Sequence, residues 1–86
     1  MQREVIYRLP PYLQKELLDR MLSSGFSEYK ELEKWLTGLG YKTSKSALHR
    51  LGLKFEVYLS RGDAPSRLQI LFERLGYRKS GQSAPN

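Results

Sequence analysis

The segment Lys42–Lys54 has the sequence Lys-Thr-Ser-Lys-Ser-Ala-Leu-His-Arg-Leu-Gly-Leu-Lys and carries the clearest helix pattern in the chain. Its apolar side chains, Ala47 or Leu48 and Leu51, lie at the spacing of one helix face. That face continues beyond the segment at Phe55 and at Tyr58 or Leu59. Thr43 or Ser44 would cap the helix, because a hydroxyl there accepts a hydrogen bond from the first turn. We therefore predict a helix over about 44–59 with an apolar inner face. Gly52 inside it predicts either a close approach of a neighbouring helix or a bend.

Charge is distributed unevenly along the 86 residues, and the imbalance begins at this segment. Residues 1–41 carry six basic and six acidic side chains and are neutral overall. Residues 42–86 carry nine basic and three acidic side chains, and nine minus three accounts for the whole net charge of +6. A neutral half followed by a basic half is typical of a scaffold that presents a surface to a polyanion, for which nucleic acid is the first candidate.

The outer face of the predicted helix carries side chains that suit DNA. Helical spacing brings two polar pairs to this face, Lys45 with His49 and Ser46 with Arg50. Arginine hydrogen-bonds guanine bidentately, lysine binds guanine or neutralises a phosphate, and serine can donate to either. Side chains and N–H groups at the start of the helix suit a phosphate oxygen. The predicted DNA-contacting residues are Lys42, Ser44, Lys45, Ser46, His49, Arg50 and Lys54.

Three further helices are predicted from leucine-rich stripes at helical spacing, over about 11–23, 28–39 and 65–75. Pro10-Pro11 suits the first turn of the first of them, because proline lacks an N–H that would be unsatisfied there. Ser27 followed by Glu28 is typical of an N-cap with an acid near the positive helix end. Trp35 lies in the apolar stripe of the second helix, so we predict that it belongs to the core and not to a base-stacking platform.

Two of these helices are followed by the same dipeptide pattern. Gly40-Tyr41 and Gly76-Tyr77 each combine a glycine for a left-handed cap with a residue for the hydrophobic contact that accompanies it. Because nothing upstream of the two endings aligns, we interpret them as shared helix-stop chemistry and not as a duplicated unit.

The two ends of the chain carry separate predictions. Residues 3–9 alternate between apolar and polar types, which predicts a short extended N-terminal arm or a weak strand. Residues 80–86 are small and polar with proline and glycine, which predicts a disordered tail. Residues 1–79 are then predicted to form a single small all-α domain of three to four helices.

The composition also limits function. Cysteine is absent, so disulfides and thiolate metal sites are excluded, and the single histidine lacks carboxylate partners for zinc. There is no phosphate-binding loop, no nucleophile with a base and no carboxylate cluster, so we predict no enzyme, no cofactor and no metal. No apolar run approaches the ~20 residues of a membrane span, and the N-terminus has no signal-peptide core. A soluble protein of the cytosol without a membrane partner is expected.

The second and third helices, with Gly40–Thr43 between them, match the plan of a helix-turn-helix. In that motif one helix supports the scaffold, and exposed residues at the start of the next helix reach base edges in the major groove. We therefore expect the chain to bind double-stranded DNA. We also expect a homo-oligomer, because a monomer with one short recognition helix binds weakly and paired helices enter successive grooves.

Motifs between Leu9 and Glu56 resemble a known family. They are Leu9-Pro-Pro, Gly25-Phe-Ser, Trp35-Leu36, Gly40-Tyr41 and, most specifically, Ser44-Lys-Ser-Ala-Leu-His-Arg50. In these the chain is similar to small proteins of Mu-like phages and prophages of formally unassigned function, for which the role of small terminase subunit is generally proposed. The resemblance implies a helix-turn-helix protein in the bacterial host cell that recognises packaging-site DNA and works with a separate large terminase, or motor, subunit.

Two alternatives remain open at this point. Val5-Ile-Tyr-Arg-Leu-Pro10 followed by two helices resembles a ribbon-helix-helix repressor, which reads DNA with a paired strand. The outward residues of that strand, Glu4, Ile6 and Arg8, are poorly suited to DNA, although a helix-turn-helix repressor remains compatible with the later basic helix. The other alternative is a small helical adaptor or inhibitor whose basic face docks on an acidic protein.

Overall fold

A computed structural model describes residues 4–78, which form a short 3₁₀-helix and four α-helices without a strand in that range. The 3₁₀-helix is Val5–Arg8, and the α-helices are α1 (Pro11–Ser23), α2 (Tyr29–Gly38), α3 (Lys45–Arg61) and α4 (Ser66–Arg74). The predicted all-α class with four helices is confirmed. The chain divides into two compact units between Gly52 and Leu53, within α3. The predicted disordered tail at 80–86 lies outside the described residues, and the domain limit at residue 79 stays a prediction.

The N-terminal segment is helical, so the prediction of an extended arm is wrong for its described residues. Val5–Arg8 forms a 3₁₀-helix that buries Ile6 completely, although the alternating pattern placed Ile6 on the outer side of a strand. Val5, Ile6 and Leu9 are all at most 4% exposed, a spacing that fits a helical turn better than a pleat. The side-chain amide of Gln14 in α1 donates to the Ile6 carbonyl at 2.8 Å, which fixes the segment on α1.

The first unit is built around buried aliphatic side chains of the 3₁₀-helix, α1, α2 and the first half of α3. Its fully or almost fully buried members are Ile6, Leu17, Leu18, Met21, Leu36, Leu48 and Leu51. Trp35 is only partly buried and is not among the buried core residues, so the prediction that it belongs to the core is wrong. The guanidinium carbon of Arg20 lies 4.1 Å from the ring centroid, which is the geometry of a cation–π contact.

The start of α2 differs from the predicted cap. The helix begins at Tyr29, and Glu28 is its N-cap residue, with a left-handed φ of 61° and no side-chain capping bond. The Ser27 hydroxyl instead donates backward to the Ser24 carbonyl at 2.6 Å, while the Ser24 hydroxyl donates to the Ser27 carbonyl at 2.9 Å. The two serines thus close the α1–α2 loop on itself, and Ser27 does not serve the following helix.

The repeated Gly-Tyr endings have the same backbone geometry. After α2, Gly40 has φ 97°, and the Tyr41 N–H donates to the Leu36 carbonyl at 2.9 Å. After α4, Gly76 has φ 96°, and the Tyr77 N–H donates to the Phe72 carbonyl at 3.0 Å. These are the bonds of a Schellman motif, in which glycine adopts the left-handed conformation without a side-chain clash. The finding supports shared helix-stop chemistry.

The second unit has an aromatic core formed by the second half of α3, α4 and the residues after α4. The ring centroids of Phe55 and Phe72 are 4.9 Å apart, and those of Tyr58 and Phe72 are 5.0 Å apart. Tyr77 meets Phe55 edge to face at 5.0 Å, and its carbonyl accepts a 2.8 Å hydrogen bond from the Tyr58 hydroxyl. Burial raises the pKa of Tyr58, the Glu73 carboxylate raises it further, and Arg78 opposes both.

Candidate nucleic-acid interface

The start of α3 is fixed by a side-chain cap. The Ser44 hydroxyl oxygen accepts a hydrogen bond from the Ala47 N–H at 3.1 Å, and the Ser44 carbonyl accepts one from the Leu48 N–H at 3.0 Å. Ser44, not Thr43, is therefore the N-cap that the sequence left open. A cap of this kind satisfies one of the free N–H groups of the first turn and defines where the helix begins.

Six of the seven predicted DNA-contacting residues are exposed and lie at or just before the start of α3. We call them the α3 face: Lys42, Ser44, Lys45, Ser46, His49 and Arg50. At about 100° per residue, the four helical members spread over roughly 140° of the circumference and about 7.5 Å along the axis. Leu48 and Leu51, at 0% and 1% exposure, lie on the other side of the helix. The α3 face is thus one continuous outer surface of the first unit.

The positive charge of the α3 face is not neutralised within the described part of the chain. Lys42, Lys45 and Arg50 form no ion pair with any residue of 4–78. No acidic residue occurs between Glu33 and Glu56. On α1, by contrast, Lys15 pairs with Asp19 and Arg20 with Glu16 across one helical turn, at 3.3 Å and 2.9 Å. Lys42, Lys45 and Arg50 are therefore available to a negatively charged partner.

Arg8 adds a cation that sequence reasoning did not assign to this surface. Its guanidinium donates to the backbone carbonyl of Lys42, 34 positions away in the sequence, and its side chain remains exposed. The 3₁₀-helix that carries Arg8 is held by buried Val5 and Ile6. Arg8 thus lies beside the link that leads into α3. No local pattern could have revealed it, because the contact depends on how the first unit folds.

Tyr29, the first residue of α2, positions α2 against α3 within the first unit. Its ring meets the ring of His49 edge to face, with centroids 5.3 Å apart and an interplanar angle of 89°. Its hydroxyl lies over Gly52, where a Cβ atom would be only 2.0 Å from the hydroxyl oxygen. Of the two predictions for Gly52, close approach of a neighbouring helix is therefore observed. His49 is exposed but has one edge packed, so its ring is held in place.

Lys54, the seventh predicted contact, belongs to the second unit and is only partly exposed. It lines a groove with apolar residues and one carboxylate: Leu53, Val57, Asp63, Ala64 and Pro65. Its surroundings differ from those of the α3 face, which has no acidic member. We therefore do not group Lys54 with the α3 face.

Residues 4–78 contain no group of three or more His, Asp or Glu side chains that could hold a metal ion. No described helix combines the length and the apolar character needed to cross a bilayer.

The family model described as Bacteriophage Mu, Gp27 matches residues 6–82, which is most of the chain. This protein belongs to the Mu Gp27 family. The match confirms the predicted Mu-like phage origin and extends the resemblance beyond Glu56, through α4. No curated protein and no solved structure matches the chain.

Proposed function

We propose that this Mu Gp27 family protein is a DNA-binding protein in which α2, the link Leu39–Ser44 and α3 act as a helix-turn-helix. The observation that carries the proposal is the α3 face: six exposed polar or basic residues at the start of a capped helix, without an acidic neighbour in the sequence. In this arrangement α2 supports the scaffold and the N-terminal half of α3 enters the major groove.

The residues of the α3 face take different roles in this proposal. Arg50 and Ser46 lie one turn apart on the outer side of α3 and read base edges, arginine by two hydrogen bonds to guanine. Lys42 and Lys45 neutralise phosphates on either side of the groove, together with Arg8 beside the link. His49 is held by Tyr29 and contributes a ring nitrogen to a phosphate or a base edge.

The finer proposal concerns the phage process. We propose that the protein is a small terminase-like subunit that recognises packaging-site DNA and hands it to a large terminase, or motor, subunit. Membership of a Mu phage family and a small all-α fold with a basic helix support this role. A phage repressor of the helix-turn-helix type would use the same surface. The ribbon-helix-helix alternative loses its support, because Val5–Arg8 is helical and no strand occurs in residues 4–78.

DNA binding can be tested by fluorescence anisotropy with a pool of random duplexes at several salt concentrations. We expect measurable binding at low salt, with an affinity that falls as salt rises because bound cations release counterions from DNA. The double charge reversal Lys45→Glu/Arg50→Glu should abolish it. The matched control is Lys30→Glu/Lys34→Glu, which makes the same change in charge at two exposed positions of α2.

The control should lower the affinity only modestly, through the change in net charge. Equal losses in both double variants would show that binding is a general effect of charge and would refute the α3 face as the binding site. Failure of the wild-type protein to bind any duplex at low salt would refute DNA binding and favour the adaptor alternative, in which the basic face docks on an acidic protein.

Selection of bound sequences from random duplexes distinguishes residues that contact base edges from residues that contact phosphates. Arg50→Ala should cost about 1–3 kcal/mol at one base pair and relax the preference there, whereas Lys42→Ala should weaken all sequences alike. Selected sites that lie at the packaging end of a Mu-like genome support the terminase role. Selected sites that lie in promoters support a repressor.

A further inference from the structure

His49 differs from the charged members of the α3 face in how its side chain is held. Its ring packs edge to face against the ring of Tyr29, with centroids 5.3 Å apart and an interplanar angle of 89°. Tyr29 is only 7% exposed, so the ring against which His49 packs is itself fixed in the first unit. The side chains of Lys42, Lys45 and Arg50 make no hydrogen bond, ion pair or ring contact within the described part of the chain.

The Tyr29 ring is held in turn by a notch in α3 at Gly52. A Cβ atom there would be 2.0 Å from the Tyr29 hydroxyl oxygen and 2.9 Å from Cζ. The hydroxyl end of the ring therefore occupies space that any other residue at position 52 would fill. Because His49 and Gly52 are three positions apart, they lie on the same side of α3, and the Tyr29 ring spans both. All three residues belong to the first unit.

A ring that is held in one orientation suits a directional hydrogen bond. A base edge in the major groove presents donors and acceptors at fixed positions, so an already ordered side chain loses less conformational entropy on binding. A phosphate accepts hydrogen bonds from many directions, and flexible lysine side chains satisfy it equally well. In the proposed function Lys42 and Lys45 already serve phosphates. The packing of His49 therefore favours a base edge over a phosphate.

We propose that His49 reads the edge of one base pair in the major groove and that Tyr29 is its positioning residue. The proposal rests on the DNA-binding function proposed above, and it assigns His49 to a base where that function left base and phosphate open. A ring nitrogen of His49 donates to a base acceptor or accepts from an exposed amino group. Tyr29 acts through His49 and does not contact DNA itself.

The role of His49 is tested by selecting bound sequences from random duplexes and measuring affinities for single-base-pair variants of the selected site. His49→Ala should reduce the preference at one base pair roughly 5- to 100-fold and leave the preferences at other positions unchanged. A phosphate contact would instead lower the affinity for every sequence alike. Equal weakening of all sequences, or no change at all, would overturn the assignment of His49 to a base edge.

The Tyr29→Leu variant tests positioning, because leucine removes the ring against which His49 packs. The preference at the His49 base pair should fall roughly 2- to 10-fold, the range that one aromatic pair contributes. The preference assigned to Arg50 should not change. Tyr29→Phe should keep the wild-type preference, since phenylalanine retains the edge-to-face contact. In a His49→Ala background, Tyr29→Leu should have no further effect on base preference.

Proton NMR of the free protein detects the same contact without DNA. His49 is the only histidine of the chain, so its imidazole resonances are identified without further assignment. The ring current of Tyr29 should shift them from their positions in the urea-unfolded chain. Tyr29→Leu should remove this shift, and Tyr29→Phe should keep it. The matched control is Tyr12→Leu, at a tyrosine of α1 that is 72% exposed, and it should change neither the shift nor any base preference.

Circular dichroism establishes that each variant is folded, and His49→Ala, at an exposed position, keeps the proposal testable if Tyr29→Leu does not fold. Loss of every base preference in a folded Tyr29→Leu protein would show that Tyr29 only holds α3 in place and would overturn its positioning role. A full preference at the His49 base pair in that variant would overturn it as well. Wild-type binding without any base preference would reject base reading and keep DNA binding, whereas failure to bind any duplex would reject both.

Discussion

Replacing Gly52 with alanine tests the helix contact that positions α3 in the first unit. In an ordinary helix interior, alanine is more favourable than glycine by roughly 0.8–1.0 kcal/mol. At Gly52, however, the new Cβ atom would lie 2.0 Å from the Tyr29 hydroxyl oxygen, 2.9 Å from Cζ and 3.0 Å from Cε1. Moving the hydroxyl alone does not remove the conflict, because ring atoms are involved and Tyr29 is buried, with 7% of its surface exposed.

The expected magnitude follows from these two opposing terms. Overpacking a well-packed contact costs about 1–3 kcal/mol, and a 2.0 Å approach belongs at the upper end of that range. After subtracting the helix-propensity gain, Gly52→Ala should destabilise the first unit by about 1–2 kcal/mol. The matched control is Gly38→Ala in α2, where a Cβ atom meets nothing within 4 Å. The control should be neutral or stabilising by up to about 1 kcal/mol.

Urea unfolding followed by the fluorescence of Trp35 measures this effect, because Trp35 is the only tryptophan of the chain and lies in α2. In a Tyr29→Phe background the cost of Gly52→Ala should shrink, since the nearest atom is gone. In a Tyr29→Leu background it should change sign, because the ring is gone as well. If Gly52→Ala stabilises the otherwise wild-type protein as much as Gly38→Ala does, the close approach of Tyr29 to Gly52 is refuted. Additivity in both tyrosine backgrounds would refute it independently.

Three further measurements follow from single contacts. Ser44→Ala should cost about 1 kcal/mol in urea unfolding, because the Ala47 N–H loses its acceptor. The raised pKa of Tyr58 means that the unfolded chain releases this proton first, so the contribution of Tyr58 to stability should be constant below about pH 10 and be lost as pH rises above it. Tyr58→Phe should remove that part of the alkaline loss, and an identical pH profile in both proteins would contradict the assignment. Arg8→Gln should reduce the slope of log K against log[salt] for DNA by about 0.9, while Arg8→Lys keeps it; an unchanged slope in the glutamine variant would show that Arg8 makes no phosphate contact.

Local patterns predicted most of the fold because the deciding interactions lie within a few residues. The bounds of α1 match the prediction of 11–23, and the Gly40-Tyr41 ending depends only on bonds within the last turn of α2. The prediction of an extended N-terminal arm was wrong because an alternation of apolar and polar residues over seven positions carries no information about which other residues cover Ile6. Its burial depends on packing within the first unit and on the bond from Gln14, which local alternation cannot encode.

The part of the candidate site that lies within one helix was also predictable from the sequence, and the parts that depend on distant contacts were not. Helical spacing within α3 correctly placed Lys45, Ser46, His49 and Arg50 on the exposed side, because the buried leucines fix the rotation of the helix. Arg8 was missed, since its contact with the Lys42 carbonyl joins distant parts of the chain. The groove around Lys54 was also unforeseen, because it exists only after the turn at Gly62 brings Asp63–Pro65 to the side of α3.

The salt dependence of DNA binding separates residues that hold α3 in place from residues that touch DNA. Gly52 carries no charge, so a variant that displaces α3 should lower the affinity for every sequence without changing the salt slope. Lys42 and Lys45 are proposed to contact phosphates, so loss of either should lower the slope itself. We propose that Arg8 combines both roles, because its guanidinium donates to the Lys42 carbonyl while its side chain remains exposed. Lysine at position 8 keeps the charge and loses the planar donor fork, so an affinity loss with an unchanged slope in that variant would assign to Arg8 a positioning role in addition to its charge.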